Sequence, residues 1–183
     1  TSTHQIVQQI NQNYFQLFDL SESFDLDLGK LSEKYHARQV EVHPDKFSGT
    51  TEKDKLRAVQ LTSYLNEAYS TLKAPIKRAA YLLTINGLNV ESVSQNDLGM
   101  DLLLEQMQLR ESLYALPKDE SALKALGHLK SEVGEKLNLK QNNFSREFAS
   151  GELAQAKRIF HELQFLHKLL LEIEAGEEQR LGY

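Results

Sequence analysis

The sequence predicts an all-α protein: a helical hairpin with a short helix at each end, followed by an antiparallel three-helix bundle. Only 3 prolines and 9 glycines occur in 183 residues, so long segments run without a break. Within these segments apolar residues recur every three or four positions, the spacing of helices with one buried face. A polar stretch without this period lies at 88–97. We therefore expect a first domain at 1–87, a linker over 88–97 and a second domain at 98–183.

The first domain is predicted to begin with a short helix over residues 14–18, for which Asn13 supplies the N-cap. The next helix is indicated by four apolar residues that share one narrow stripe: Leu28, Leu31, Tyr35 and Val42. This helix must end near residue 42, because Pro44 disfavours helical geometry at the residue before it and has no backbone N–H.

A second long helix is predicted from about Glu52. Its apolar residues step by three and four along one face: Ala58, Leu61, Leu65, Ala68 and Leu72. Pro75 ends this helix and suits the first turn of the next one, which runs to about Ile85 and stops at Asn86-Gly87. The first domain thus consists of two long antiparallel helices joined by a His-Pro-Asp loop, with a short helix at each end.

The second domain is predicted to hold three helices, at about 99–116, 119–149 and 151–175. Pro117 stops the first of them. Short connections between consecutive helices imply antiparallel neighbours, so these helices should form a three-helix bundle.

Composition excludes several functional classes. The net charge is −5, and all of it lies in residues 88–183, because residues 1–87 carry equal numbers of basic and acidic side chains. This acidic balance is the opposite of a nucleic-acid-binding footprint. No apolar run approaches the roughly 20 residues of a membrane helix. The absence of cysteine removes disulfides and thiolate metal sites. We expect a soluble, cytoplasmic protein without a cofactor, and no nucleic-acid or membrane partner.

An enzymatic role finds little support in the sequence. It contains neither a glycine-rich phosphate loop nor a G-x-S-x-G nucleophile motif. His161-Glu162 resembles the start of a zinc-protease motif, but the position four residues after the histidine is Phe165. His167 lies about 240° further around the helix, too far for joint chelation. We interpret both histidines as polar surface residues and predict that the protein is not an enzyme.

The most specific motif is the loop His43-Pro44-Asp45. With Tyr14-Phe15-Gln16-Leu17-Phe18 before it and Leu65-Asn66-Glu67-Ala68-Tyr69 after it, the loop resembles that of the J-domain family. The resemblance implies an activator of a DnaK-class ATPase chaperone, in which the loop aspartate engages an arginine of the partner. It also implies a basic face on the preceding helix, where Lys30, Lys34 and Arg38 follow at four-residue intervals.

Two alternatives to this interpretation stay open. The loop could merely join two helices, with Asp45 capping the second of them. The three basic residues could form an ordinary solvated face. Glu41 interrupts that face, and Val42 stands where many J-domains have tyrosine, which favours a dedicated partner over a general one.

The second half is similar to the HscB co-chaperones of iron–sulfur cluster biogenesis. The similarity is carried by Arg78-Ala79-Ala80-Tyr81-Leu82-Leu83, by the segment from Leu102 to Glu111 and by Phe165-Leu166-His167-Lys168-Leu169. The resemblance implies an HscA-type chaperone and an IscU-type scaffold protein as partners. It implies the bacterial type, since the chain has no cysteine for a metal-binding extension.

A second apolar stripe on the first bundle helix predicts an interface. The stripe of this helix that faces the core consists of Leu102, Leu109, Leu113 and Leu116. The second stripe lies on roughly the opposite side and consists of Leu103, Leu104, Met107 and Tyr114. In the last helix the core stripe is Ala156, Ile159, Leu163, Leu166 and Leu170, and Phe165 lies about 130° from its centre.

Exposed apolar residues that meet across two helices usually mark an interface, and methionine suits an adaptable one. We predict that the scaffold protein binds this apolar surface, with polar residues at its rim. The predicted scaffold-binding residues are Leu103, Leu104, Met107, Gln108, Arg110, Glu111 and Phe165. Alternatively, the second stripe packs on the first domain, or the bundle serves dimerisation or a different client.

Overall fold

The structure, a computed structural model, describes residues 11–47, 49–92 and 99–182. All regular secondary structure in these ranges is helical. The helices are α1 (Tyr14–Leu17), α2 (Leu28–Glu41), α3 (Glu52–Lys73), α4 (Pro75–Ile85), α5 (Met100–Tyr114), α6 (Leu123–Ala149) and α7 (Leu153–Leu181). Single 3-10 turns occur at Pro44–Phe47 and Glu120–Ala122. No helix within the described ranges is both long and apolar enough to span a bilayer.

The chain divides into two compact units, residues 1–82 and 83–183. The division falls inside α4, a few residues before the predicted end of the first domain. The limits predicted at residues 87 and 97 stay predictions, and residues 93–97 of the predicted linker lie outside the described part of the chain.

The first unit is centred on the predicted hairpin of α2 and α3. All five apolar residues predicted to face the core from α3 are buried, and so are Leu31 and Val42 on the opposing side. Leu28, predicted as part of the same stripe, is instead 48% exposed. It is the first residue of α2, and helical side chains lean towards the N-terminus, so its side chain extends past the packed part of the hairpin.

Helix α1 is capped as the sequence predicts and is held by an aromatic contact. The side chain of Asn13 accepts a hydrogen bond from the backbone N–H of Gln16, whose side chain accepts one from the N–H of Asn13. The backbone N–H of Tyr14 donates to the hydroxyl of Tyr81, at 2.9 Å, and the two rings stack with centroids 4.3 Å apart. This short helix therefore depends on α4 for its place, since a single turn is not stable by itself.

A buried arginine fastens the segment between α1 and α2. Arg78 donates from Nε to the carbonyl of Phe24 at 2.8 Å and from Nη1 to the carbonyl of Leu72 at 2.7 Å. Its guanidinium also lies 4.7 Å from the centroid of the Phe24 ring. Burial lowers the pKa of Arg78, opposed by the charge of Asp25. The side chain thus links the loop before α2 to the end of α3.

The second unit is the predicted three-helix bundle. Ion pairs join Lys140 to Glu162, and Lys130 to Glu177 at 3.2 Å, so α6 and α7 run antiparallel. Helix α5 contacts α7 as well, with Leu109 and Leu113 buried as predicted.

The buried face of α7 is wider than one stripe, because this helix packs against both α5 and α6. Leu169 is fully buried, and Leu170, predicted for the core, is only half-buried. The interpretation of His161 as a surface residue was wrong: it is buried, its ring lies 5.4 Å from that of Phe160, and its Nδ1 lies 3.3 Å from Oε1 of Gln164. His167 is exposed as predicted.

Helix α7 ends at Leu181, whereas the sequence suggested an end near residue 175. The added turn carries Arg180, which is buried and donates from Nε and Nη2 to the carbonyl of Pro117, at 2.9 and 2.6 Å. Its Nη1 donates to the carbonyl of Gly176 at 3.0 Å. A Cβ at position 176 would lie 3.0 Å from that nitrogen, so the lack of a side chain at Gly176 leaves room for the guanidinium of Arg180 beside the helix backbone.

We expect Arg180→Ala to destabilise the bundle by about 2–3 kcal/mol, since a buried side chain is removed and the carbonyls of Pro117 and Gly176 lose their charged donor. The urea midpoint of the full-length protein measures this change. Arg158→Ala on the same helix is the matched control: Arg158 is exposed and contacts only the side chain of Gln155 in its described hydrogen bonds. That variant should stay within about 0.5 kcal/mol of wild type. Equal midpoints for the two variants would contradict the structural role of Arg180.

Candidate functional site

The His-Pro-Asp loop is exposed at its tip and anchored at both ends. Val42 before the loop and Phe47 after it are buried, whereas the side chains of His43 and Asp45 are 60% and 91% exposed. Pro44 opens the 3-10 turn, which is closed by a hydrogen bond from the N–H of Lys46 to the carbonyl of His43, at 2.9 Å. The buried ends hold the turn in one place while its polar side chains face solvent.

Asp45 does not cap the helix that follows it. Thr51 is the N-cap of α3, with its hydroxyl accepting a hydrogen bond from the N–H of Asp54 at 3.2 Å. The carboxylate of Asp45 lies 3.5 Å from Nδ1 of His43, which also accepts a hydrogen bond from the N–H of Asp45 at 3.3 Å. The capping alternative for Asp45 is therefore removed, and the contacts that the structure describes for its side chain lie within the loop.

The basic face of α2 is partly engaged within the protein itself. The ammonium of Lys34 donates to the carbonyl of Asp19 at 3.0 Å, and Arg38 pairs with the carboxylates of Asp19 and Glu41, at 3.3 and 3.2 Å. Asp19 has a positive φ of 51°, an uncommon conformation for a residue other than glycine. Lys30 is exposed at the start of the helix. Two of the three predicted basic residues thus already have acidic or carbonyl partners.

A shallow groove beside the loop escaped the sequence analysis. It is lined by His36, Gln39, Val40, His43 and Thr62. Val40 is exposed, and Leu56 and Val59 on α3 are exposed apolar residues as well. The sequence feature that could have indicated this groove is the set of apolar residues on α2 and α3 that lie outside the core stripes. Single exposed apolar residues are common on protein surfaces, so these residues do not by themselves predict a groove.

The second apolar stripe on α5 is exposed, as the sequence predicts. We call the set Leu103, Leu104, Met107 and Tyr114 the α5 stripe; their exposed fractions are 37%, 48%, 58% and 62%. Met100, at the start of the same helix, is also exposed. Gln108 and Glu111 are exposed beside the stripe. Exposed apolar side chains in such a row indicate a surface that binds another molecule.

Phe165 and Arg110, both predicted to bind the scaffold protein, contact each other. Phe165 is half-buried, and the guanidinium carbon of Arg110 lies 5.3 Å from its ring centroid. Nη1 of Arg110 donates to Oε2 of Glu172 at 2.8 Å and to the hydroxyl of Tyr114 at 3.0 Å. Burial lowers the pKa of Arg110, but the hydrogen bond to Tyr114 and the Glu172 carboxylate outweigh this effect and raise the pKa. Arg110, predicted at the rim of the apolar surface, is thus also an internal link between α5 and α7.

The described residues show no metal-binding cluster. Among them, no group of three or more histidine, aspartate or glutamate side chains is arranged to hold a metal ion. What the two sites offer is an exposed carboxylate on an anchored turn in one unit and an exposed apolar stripe in the other. Both are features of surfaces that bind proteins.

Comparison with known proteins adds the family. The family model described as the HSCB C-terminal oligomerisation domain matches residues 98–174. The co-chaperone protein HscB homolog of Shewanella loihica is 38% identical over 169 residues, which cover 91% of this chain and 98% of that protein. Such coverage extends the similarity beyond the bundle to the first unit.

Two solved structures share the fold. The chaperone HscB from Vibrio cholerae superimposes with a TM-score of 0.80 at 35% identity, over 92% of this chain and 99% of that one. The human co-chaperone protein HscB gives a TM-score of 0.81 at 29% identity, over 90% and 82% of the two chains. Since the bacterial relatives match in sequence and in structure over nearly their full length, the chain belongs to the HscB co-chaperone family.

Proposed function

We propose that this protein stimulates the ATPase of a dedicated DnaK-class chaperone of the HscA type and delivers an IscU-type iron–sulfur scaffold protein to it. The His43–Asp45 loop would contact the chaperone, and Leu103, Leu104 and Met107 of the α5 stripe, together with Phe165, would contact the scaffold. In this role the protein carries out no bond chemistry itself and assists the maturation of iron–sulfur proteins. The cytoplasm stays the predicted compartment.

The observation that carries the proposal is the exposed carboxylate of Asp45 on a turn with buried ends. A carboxylate and an arginine form a strong charge-assisted pair. Because the turn is held by Val42 and Phe47, little conformational freedom is lost when a partner guanidinium binds. This supports a loop that is ready to engage the arginine that the J-domain resemblance implies.

The acidic neighbours of the basic face support a dedicated chaperone. Asp19 and Glu41 contact Arg38, so the face offers less net positive charge than three basic residues in a row suggest. A partner protein with an acidic surface of arbitrary shape would gain little binding free energy from this face. The carboxylates of Asp19 and Glu41 would repel that surface. A partner whose groups fit between these charges is favoured over a general one.

The ATPase activity of an HscA-type chaperone tests the proposal. Steady-state rates are measured with this protein alone, with an IscU-type scaffold alone and with both together. We expect the combined stimulation to exceed the sum of the separate effects, because one protein would hold both partners. A combined effect equal to the sum would contradict delivery, and no effect of this protein would contradict activation.

Oligomerisation through the bundle is the second candidate function. It is favoured by the description of the matching family model as an oligomerisation domain. Sedimentation equilibrium of the full-length protein distinguishes the two uses of the α5 stripe. A monomer at micromolar concentration supports scaffold binding, whereas a dimer that Leu104→Ala dissociates supports oligomerisation.

A further inference from the structure

We propose that Arg110 is a positioning residue, which holds the Phe165 ring and the Tyr114 side chain in place and thereby makes Tyr114 a further member of the scaffold-binding surface. The inference rests on the proposed scaffold binding and goes beyond it. It assigns an organising role to an internal contact that a list of exposed residues does not reveal.

The geometry places three groups around one guanidinium. Nη1 of Arg110 lies 2.8 Å from Oε2 of Glu172 and 3.0 Å from the hydroxyl of Tyr114. The guanidinium carbon lies 5.3 Å from the Phe165 centroid, within the range of a cation–π contact. One side chain from α5 therefore contacts its own helix and two residues of α7.

The spacing along each helix makes this arrangement possible. Tyr114 follows Arg110 by four residues, so the two side chains lie on the same face of α5. Glu172 follows Phe165 by seven residues, so both face the same side of α7, about two turns apart. The flexible stem of Arg110 reaches between the carboxylate and the ring, which a shorter donor could not do.

The contacts matter for binding because they restrict side chains before a partner arrives. Ordering a rotamer-rich side chain at an interface reduces the affinity, and a side chain that is already held avoids this loss. Tyr114 is 62% exposed, so without the hydrogen bond from Arg110 its ring would sample several rotamers. A ring that is both held and exposed presents its apolar face to a partner at low entropic cost.

A rim charge and a positioning residue differ in their kinetic effects. A charge at the rim steers the encounter, so its removal changes the association rate and the salt dependence. Loss of positioning changes mainly the dissociation rate. The same effect is expected for Glu172→Gln, because Glu172 forms an ion pair with Arg110.

Binding kinetics of full-length variants to a cluster-free IscU-type scaffold test the proposal at about 0.05 and 0.3 M salt. We expect Arg110→Gln to raise the dissociation rate about fivefold and Glu172→Gln to raise it in the same direction. Association rates should change with salt as they do for wild type. The double variant Arg110→Gln/Phe165→Leu should lose less affinity than the two single losses combined, because both remove the same contact.

Further variants keep the result independent of folding. Tyr114→Phe removes only the hydroxyl from an exposed side chain and should weaken binding about twofold to threefold, with an unchanged urea midpoint. Arg158→Gln removes the same charge from an exposed site on α7 and should leave the dissociation rate unchanged.

The results that would contradict the positioning role of Arg110 differ from those that would contradict the proposed function. Suppose that the wild-type protein binds the scaffold, that the affinity losses of the Arg110 and Phe165 variants add up in the double variant, and that Glu172→Gln has no effect. These results would overturn the positioning role alone. A wild-type protein that does not bind the scaffold would overturn the proposed scaffold binding and the role of Arg110 with it.

Discussion

Asp45→Asn is expected to abolish ATPase stimulation while the protein keeps its fold. The substitution retains the size of the side chain and removes its charge, so a partner arginine would be left without its carboxylate. Removing one member of a charge pair in an interface costs about 2–5 kcal/mol, so stimulation at a given concentration should fall at least about thirtyfold. Because the side chain is 91% exposed, the melting temperature should stay close to that of wild type.

Glu52→Gln is the matched control for this experiment. Glu52 lies seven residues after Asp45 and is equally exposed at 92%, with an ion pair to Lys55 of its own helix. Its neutralisation changes the net charge by the same amount but leaves the loop intact. Stimulation should persist in this variant. If stimulation also persists in Asp45→Asn, the loop is not the element that activates the chaperone.

The second large effect is expected for the α5 stripe, where stability and binding should separate. Leu104→Ala and Met107→Ala should shift the free energy of unfolding by less than about 0.5 kcal/mol, since both side chains are about half exposed. Leu109→Ala, on the core side of the same helix, should cost about 2–5 kcal/mol. Urea unfolding of the three full-length variants therefore reports burial without reference to any partner.

Scaffold binding should show the opposite order. Interface hot spots contribute about 2 kcal/mol or more of binding free energy, a factor of roughly thirty in affinity. We expect at least two of Leu103→Ala, Leu104→Ala, Met107→Ala and Phe165→Ala to reach this magnitude in calorimetric titration with the scaffold. Phe165→Ala should also lose some stability, because its ring is half-buried against Arg110. Early unfolding of the three leucine and methionine variants would instead assign the stripe to the core.

The sequence was sufficient for features that depend on neighbouring residues. The capping box at Asn13 and the end of α2 before Pro44 involve contacts within a few residues, so the local pattern predicts them. The core stripe of α3 was predicted in full, because a two-layer hairpin buries one face of each helix. The exposed α5 stripe followed from the same reasoning, as the apolar residues that one buried face leaves over.

The structure was needed wherever a side chain finds a partner far along the chain. Burial of Arg78 and Arg180 depends on the carbonyls of Phe24, Leu72 and Pro117, which no spacing rule connects to them. Burial of His161 depends on α7 packing against two helices at once. These residues are polar by type, and only the tertiary contacts decide that they lie inside.

For the functional surfaces, the sequence alone determined which residues are candidates, because a helical stripe and a His-Pro-Asp turn are local patterns. Only the tertiary structure decided which contacts their side chains make within the protein. It couples Lys34 and Arg38 of α2 to Asp19 in the segment before that helix, and it sets Arg110 between Glu172 and Phe165. The physical reason is that a charged side chain on a helix surface can reach any partner within its length, and folding alone determines which partner is there.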